Sequence, residues 1–252
     1  GLLGLGAGMK LATATEVAAL RDVTSISVGT AHALARKSDG GVLGWGDAGR
    51  GGLLGVTSGV VLPLAQPGIA QAIGVLALND LSFALLQDGR VLAWGAGAAG
   101  LGNGSTASQL QPAAQAVLSG TGGELTQVQA LAGFANGNEA TLAALRLDGK
   151  VWTWGENTHG GLGASGVARA SAAEVAGLAD IVGLAATDRG FVAVDAAGVL
   201  YFWGSVPVAG EPGTPTSYSD PFPPHRIDGL AAVRSVQPAF APPTVTALPS
   251  AV

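Results

Sequence analysis

The side chains that could carry out acid–base chemistry are few and scattered in this sequence. Its three histidines, His32, His159 and His225, lie far apart and in different sequence contexts. General acid–base catalysis needs titratable groups that converge on one point, and a metal site needs several ligands at close spacing. The sequence therefore predicts neither a catalytic centre nor a metal site, and an enzymatic function would require an acid–base cluster that only folding could assemble.

The sequence also has no cofactor motif in a structural context where the motif could work. The stretch from Gly95 to Gly100 has the letters of a dinucleotide-binding fingerprint. That motif works only where a helix follows and its N-terminus receives the pyrophosphate, whereas a turn between strands is expected here. The chain has no cysteine, which excludes disulfides and thiolate metal sites. We therefore predict no cofactor.

Composition narrows the class of protein and of partner. The chain has 252 residues, 48% of them apolar, and 41 glycines without a collagen period, which predicts many tight turns between short elements. Only 12% of residues are charged and the net charge is −5, so a nucleic-acid partner is not expected. No apolar run is long enough for a membrane span. The compartment is left open, with an extracellular or cell-surface location favoured over a cytoplasmic one.

An internal repeat organises the whole chain. Trp-Gly pairs begin at Trp45, Trp94, Trp154 and Trp203, with spacings of 49, 60 and 49 residues. Before each pair, two apolar segments flank a turn such as Asp88-Gly89, which predicts a β-hairpin with a two-residue type I′ turn. A further apolar segment precedes each hairpin, and three of the Trp-Gly pairs are followed by a glycine-rich turn. The predicted first strands are residues 23–29, 73–78, 128–133 and 181–186.

This order of elements resembles the regulator-of-chromosome-condensation repeat. The similarity is strongest at residues 28–34, which include His32, and at residues 154–163. It extends from Gly1 to about Val236. The resemblance implies an all-β fold, a β-propeller with four-stranded blades of about 50 residues and rings of about seven blades. It also implies structural roles for Trp45, Trp94, Trp154, Trp203 and His32, and the composition suggests a bacterial member.

The repeat divides the chain into four blades and two partial ends. The predicted blades are residues 23–72, 73–127, 128–180 and 181–232. Residues 1–22 are predicted to be the tail of a preceding blade, and residues 233–252 the start of a further blade or a proline-rich tail. We expect the chain to be a section of a larger ring, with a compact ring of four or five blades as the alternative.

Two segments, residues 111–123 and 207–224, interrupt the period. Each is predicted to be either a variable connection between blades or a loop that contacts a partner, since rigid scaffolds carry recognition on such insertions. The candidate partner-binding residues are Tyr218, Asp220, Phe222, His225, Glu156 and His159.

The leading functional hypothesis is a non-enzymatic propeller that binds or scaffolds a protein partner through loops at one ring face. The partner is unidentified and includes, as a possibility, other chains or further blades of the same protein. The alternative is a structural section of a large extracellular or particle-associated assembly, such as an adhesin, a toxin or a phage tail component. The resemblance also allows a nucleotide-exchange factor or a hydrolase inhibitor, because a fold does not select its partner.

Overall fold

Short apolar segments bounded by turn residues form four antiparallel sheets of four strands each. The structure is a computed structural model that describes residues 2–6, 13–50, 52, 58–136, 139–207, 218–219, 223–227 and 233–236. Blade 1 contains β1 (Val23–Val28), β2 (His32–Lys37), β3 (Val42–Asp47) and β4 (Val60–Ala65). Blade 2 contains β5 (Ala72–Leu78), β6 (Leu81–Leu86), β7 (Val91–Gly97) and β8 (Gln109–Ala116). Blade 3 contains β9 (Val128–Asn136), β10 (Glu139–Arg146), β11 (Val151–Gly155) and β12 (Arg169–Glu174).

Blade 4 has the same up-and-down order with one interruption. It contains β13 (Ile181–Ala186), β14 (Gly190–Asp195) and β15 (Leu200–Gly204). A small ribbon of β16 (Val206–Pro207) and β17 (Tyr218–Ser219) follows, and β18 (His225–Ile227) then completes the blade as its outer strand. No α-helix occurs among the described residues. The all-β prediction is therefore confirmed.

Successive blades pack face to face, which explains why their strands are apolar on both sides. All six residues of β6 are buried. Phe83 packs in the cluster between blades 2 and 3, whereas its neighbour Ala84 packs in the cluster between blades 1 and 2. Adjacent residues of a strand point to opposite faces, so a blade covered on both sides needs a continuous apolar run. The first strands of neighbouring blades contact one another.

The central hairpins do not have the predicted type I′ turn. In blade 2, the N–H of Gly89 donates to the carbonyl of Leu86 at 3.0 Å, and the N–H of Leu86 donates to the carbonyl of Arg90 at 2.9 Å. Only Gly89 has a positive φ, of 80°. The carboxylate of Asp88 instead accepts the N–H of Arg90 at 3.0 Å. The prediction was wrong because this bond favours a three-residue loop, in which glycine alone takes the left-handed conformation.

The central hairpin of blade 4 has the same bond between a carboxylate and a backbone N–H, although its aspartate stands at another position in the turn. The N–H of Gly198 donates to the carbonyl of Asp195, and the N–H of Asp195 donates to the carbonyl of Val199, each at 3.0 Å. Val199 therefore occupies the position of Arg90. The side chain of Asp195 accepts the N–H of Val199 at 2.9 Å. An aspartate two positions earlier thus satisfies the same backbone group.

The hairpin glycines also join each blade to the next. Their carbonyl oxygens accept the N–H of the residue that begins the following blade. The pairs are Gly40 with Ala72 at 2.9 Å, Gly89 with Val128 at 3.0 Å and Gly149 with Ile181 at 3.0 Å. A fourth copy of the bond joins Gly198 to Val233 at 3.2 Å. Val233 therefore has the position at which the first strands of blades 2, 3 and 4 begin.

The first interruption of the period, residues 111–123, is divided between two elements. Its beginning lies in the outer strand β8. The remainder is a connection that is hydrogen-bonded to blade 3. The N–H of Ala172 donates to the carbonyl of Leu118, and the N–H of Gly120 donates to the carbonyl of Ala172. Residues 117–123 therefore help to join blade 2 to blade 3.

Candidate partner-binding face

Each blade presents two different ends. At one end lie the connections between the first and second strands and the segments that follow the third strand, including the Trp-Gly pairs. We call this end the Trp-Gly face. At the other end lie the central hairpins and the connections to the next blade, and we call it the hairpin face. Because strands alternate in direction, every blade contributes equivalent loops to each face.

The tryptophans lie below the Trp-Gly face and anchor the glycine-rich turns of the neighbouring blade. Each indole Nε1–H donates to a backbone carbonyl in the preceding turn. The pairs are Trp45 with Leu2 at 2.9 Å, Trp94 with Gly52 at 3.0 Å, Trp154 with Gly100 at 3.0 Å and Trp203 with Gly161 at 2.9 Å. The contact of Trp45 gives Leu2-Leu3-Gly4 the position that Gly100-Leu101-Gly102 has on blade 3. Gly4 and Gly102 have φ values of 70° and 68°.

His32 is buried between blades 1 and 2. Its Nε2 lies 2.7 Å from the hydroxyl of Ser82, which donates to the carbonyl of Gly52 at 2.8 Å. A Cβ at Gly52 would stand 2.5 Å from the imidazole Cε1, so only glycine fits above the ring. Burial lowers the pKa of His32 to about 4, against a backbone hydrogen bond with Asn79 that raises it. The imidazole is therefore neutral at neutral pH and joins the two blades.

Two glutamates of blade 3 lie close together at the Trp-Gly face. Glu139 begins β10, and Glu156 directly follows the Trp-Gly pair of β11. The backbone of Glu156 is held on both sides, since its N–H donates to Ala140 at 2.9 Å and its carbonyl accepts the hydroxyl of Thr141 at 2.7 Å. Burial, and secondly the charge of Glu139, raise the pKa of Glu156. Neither carboxylate has an ion-pair or hydrogen-bond partner among the described residues.

His159 links blades 3 and 4 beside these glutamates. Its Nε2 lies 3.3 Å from the Nδ2 of Asn136, and its Nδ1 lies 3.4 Å from the hydroxyl of Ser205. The same hydroxyl donates to the carbonyl of His159 at 3.4 Å. This pattern fits a ring that accepts at Nε2 and donates from Nδ1. His159 therefore orders the loop that carries Glu156.

Sequence comparison recognises one of the repeats. Residues 23–51 match the family described as the regulator of chromosome condensation (RCC1) repeat. No curated protein sequence matches the chain.

Two solved structures share the fold of these blades. The crystal structure of human WBSCR16 superposes with a TM-score of 0.67 and 22% identity, covering 86% of this chain and 55% of that one. Prp20p from Saccharomyces cerevisiae superposes with a TM-score of 0.61 and 21% identity, covering 81% and 50%. Both are RCC1-like β-propellers. The four-stranded blades of this chain match RCC1-like propeller blades in fold. The chain spans about half the length of these two structures.

The blades bring together only part of the predicted partner-binding set. Glu156 and His159 lie on one loop of blade 3. His225 is exposed on the outer strand of blade 4, opposite Phe202. The backbone of Tyr218 pairs with Pro207 in the small ribbon. Asp220 and Phe222 lie outside the described residues.

Sequence reasoning missed three residues at this site: Asn136, Glu139 and Ser205. The predicted first strand of blade 3 ended at Gly133, whereas β9 continues to Asn136 and pairs it with Glu139. Aligning the four blades by their Trp-Gly pairs would have placed Ser205 level with Glu156, since each directly follows Trp-Gly. No sequence signal indicated that Glu139 and Glu156 would be neighbours.

Ion pairs are frequent at the hairpin face of these blades. The hairpin face carries paired ions, among them Lys37–Asp39 at 3.0 Å, Arg90–Asp88 at 2.8 Å and Lys150–Glu174 at 2.9 Å. At the Trp-Gly face the described acidic side chains are Asp47, Asp80, Glu139, Glu156 and Asp188. Arginines with described side chains at this face include Arg169, whose strand position pairs with Gly155, and Arg189, which lies 3.8 Å from Asp188. The carboxylates of Glu139 and Glu156 have no ion pair among the described residues.

Within the described ranges, no three His, Asp or Glu side chains are grouped so that they could hold a metal ion. The same part of the chain contains no helix of the length and hydrophobicity needed to span a membrane.

Proposed function

We propose that this chain is a non-catalytic, protein-binding section of an RCC1-type propeller, and that it binds a basic surface of its partner through the Trp-Gly face of blade 3. The observation that carries the proposal is the pair Glu139 and Glu156. Both carboxylates lack partners among the described residues, and both are placed by the strands of a rigid blade. The scaffolding role and the bacterial, extracellular setting that the composition favours belong to the same proposal.

The surroundings of Glu156 favour a basic partner. Burial, and secondly the charge of Glu139, disfavour its ionised carboxylate and raise its pKa. A lysine or arginine from a partner would relieve the repulsion and gain charge-assisted hydrogen bonds. A propeller of the same fold, Prp20p, has binding properties to Gsp1p and histones. A propeller of this fold can therefore bind proteins.

The test is affinity capture with chemical cross-linking, followed by binding measurements with the purified captured protein. The double variant Glu139→Gln and Glu156→Gln should weaken binding by about tenfold or more, and the loss should shrink at high salt. The matched control is Glu124→Gln with Glu174→Gln, which makes the same charge change on the hairpin face. If the two double variants bind equally well, or if the chain captures nothing, the proposal is wrong.

A further inference from the structure

A loop of blade 2, directly after its glycine-rich turn, has the sequence Asn103-Gly104-Ser105. An asparagine followed two residues later by serine or threonine, without an intervening proline, is the acceptor motif for N-linked glycosylation. No other asparagine of the sequence meets this condition, because the residues two positions after Asn79, Asn136, Asn138 and Asn157 are Leu81, Asn138, Ala140 and His159. A motif of three residues can occur by chance, so whether this loop can react depends on its structure.

The backbone of the loop fixes the direction of the Asn103 amide. The N–H of Ser105 donates to the Oδ1 of Asn103 at 3.2 Å, which forms an Asx turn. A backbone N–H can bond only to the oxygen of a side-chain amide, so this bond also identifies which amide atom is the oxygen. The Nδ2, the atom that N-glycosylation modifies, therefore points away from this turn.

The Nδ2 of Asn103 is weakly held and can be reached from solvent. Its partner among the described residues is the Oε1 of Gln115 on β8, at 3.4 Å, which is longer than the usual range of about 2.7–3.2 Å. Asn103 and Ser105 are partly exposed, and Gly104 and residues 106–108 are exposed. A transferase can therefore approach the amide without separating the strands of the blade.

The other two residues of the motif are held in place. The N–H of Gly104 donates to the carbonyl of Ala170 in blade 3 at 2.8 Å, and Gly104 has a φ of 88°. The hydroxyl oxygen of Ser105 accepts the N–H of Ala107 at 3.2 Å, which leaves the hydroxyl hydrogen available to donate. The folded chain therefore presents the amide and the hydroxyl of the motif in one arrangement at its surface.

We propose that Asn103 is an acceptor site for N-linked glycosylation of the folded chain by a glycosyl diphosphate. In this reaction the Nδ2 of Asn103 forms a bond to the anomeric carbon of the sugar and loses one proton to the transferase. The bond between that carbon and the diphosphate oxygen breaks, and the diphosphate leaves with its nucleoside or its lipid. The site involves neither Glu139 nor Glu156, so this proposal and the proposed function can fail independently.

The test uses the full, folded chain in two reactions that distinguish the sources of the sugar. In one, a purified N-glycosyltransferase that recognises the motif receives UDP-glucose. In the other, a microsomal oligosaccharyltransferase receives a lipid-linked oligosaccharide. Intact-mass measurement gives the extent of modification, and tandem mass spectrometry of peptides locates it. We expect at least one reaction to modify Asn103, and the reaction that does so identifies the donor.

Three variants separate the roles of the motif residues. Asn103→Gln removes the acceptor and Ser105→Ala removes only the hydroxyl, so each should lower the extent of modification at least about tenfold. Ser105→Thr keeps the hydroxyl and should be modified as the unchanged chain is. Circular dichroism shows whether the variants remain folded. Asn136 is the internal control, because it also precedes a glycine but has asparagine two residues later.

Three outcomes would overturn the proposal. The first is that neither reaction modifies the folded chain, even if a synthetic peptide of residues 98–110 is modified. The second is that Ser105→Ala is modified as fully as the unchanged chain. The third is that Asn136 is modified to the same extent as Asn103, because the motif would then not select the site.

Discussion

The contacts between blades are nearly the same at each interface, whereas the residues at the Trp-Gly face differ from blade to blade. Between blades, the same contacts recur: a tryptophan bonded to a turn carbonyl, a hairpin glycine bonded to the next first strand, and apolar side chains without charge. At the Trp-Gly face, the equivalent positions differ from blade to blade, as Asp47, Ala96, Glu156 and Ser205 show. The repeated contacts hold the blades together, whereas the varied positions make no contact that all blades share. Substitutions in the interfaces should therefore affect stability, and under the proposed function substitutions of Glu139 and Glu156 should affect binding.

Truncating a tryptophan of an interface should have the largest effect. Trp154 is fully buried, packs edge to face with Phe83 and bonds to Gly100. Trp154→Ala should lower the free energy of unfolding by about 3–5 kcal/mol, measured by urea denaturation. Trp154→Phe keeps most of the ring but removes the N–H, and should cost about 1–3 kcal/mol. If Trp154→Phe were as stable as the unchanged chain, the indole bond would not hold the turn.

The buried imidazole of His32 should make the interface between blades 1 and 2 sensitive to acid. Its pKa is lowered to about 4 in the folded chain, so the unfolded chain takes up this proton first as the pH falls. The contribution of His32 to the free energy of unfolding is therefore fully present above about pH 6.5. It falls by on the order of 3 kcal/mol as the pH is lowered to about 4.

Urea denaturation at several pH values measures this loss, and His32→Gln is the control because it cannot titrate. The unchanged chain should lose more stability than the variant between pH 6.5 and 4. Equal losses in both chains would mean that other groups cause the acid sensitivity.

A methyl group at a hairpin glycine should have a moderate effect. Gly89 has a φ of 80°, and a Cβ there would stand 2.9 Å from the Cα of Gln127. Gly89→Ala should therefore cost about 1–3 kcal/mol in the free energy of unfolding. The control is Gly74→Ala in β5, where the nearest atom, the Cβ of Leu85, is 3.7 Å away. Similar thermal midpoints for the two variants would contradict the close approach between blades.

Neutralising the glutamates of the Trp-Gly face should have the smallest effect on stability. Glu139→Gln and Glu156→Gln should each change the free energy of unfolding by no more than about 0.5 kcal/mol. Glu139→Gln should also lower the pKa of Glu156 towards its ordinary value, because one cause of the rise is removed. A carboxyl titration followed by NMR measures this shift. An unchanged pKa would show that the two carboxylates do not interact.

The parts of the fold that could be predicted were those encoded by local pattern. The apolar hairpin before each Trp-Gly, with a further apolar segment before it, predicted the first three strands of each blade, and the resemblance to the RCC1 repeat implied the fourth. The turn type was predicted wrongly, because the choice between loops depended on one bond between the carboxylate of Asp88 and the N–H of Arg90. The end of β9 was placed three residues early, at Gly133, whereas its strand pairing continues to Asn136, opposite Glu139.

By itself, the sequence determined that this protein is a repeat of β-hairpins with glycine and tryptophan at set positions, because turns and strands depend on neighbouring residues. Only the tertiary structure decided which side chains meet. Glu139 and Glu156, His159 and Ser205, and His32 and Ser82 are neighbours through the register and stacking of blades. Those contacts join residues that are distant in the chain, and no local preference encodes them.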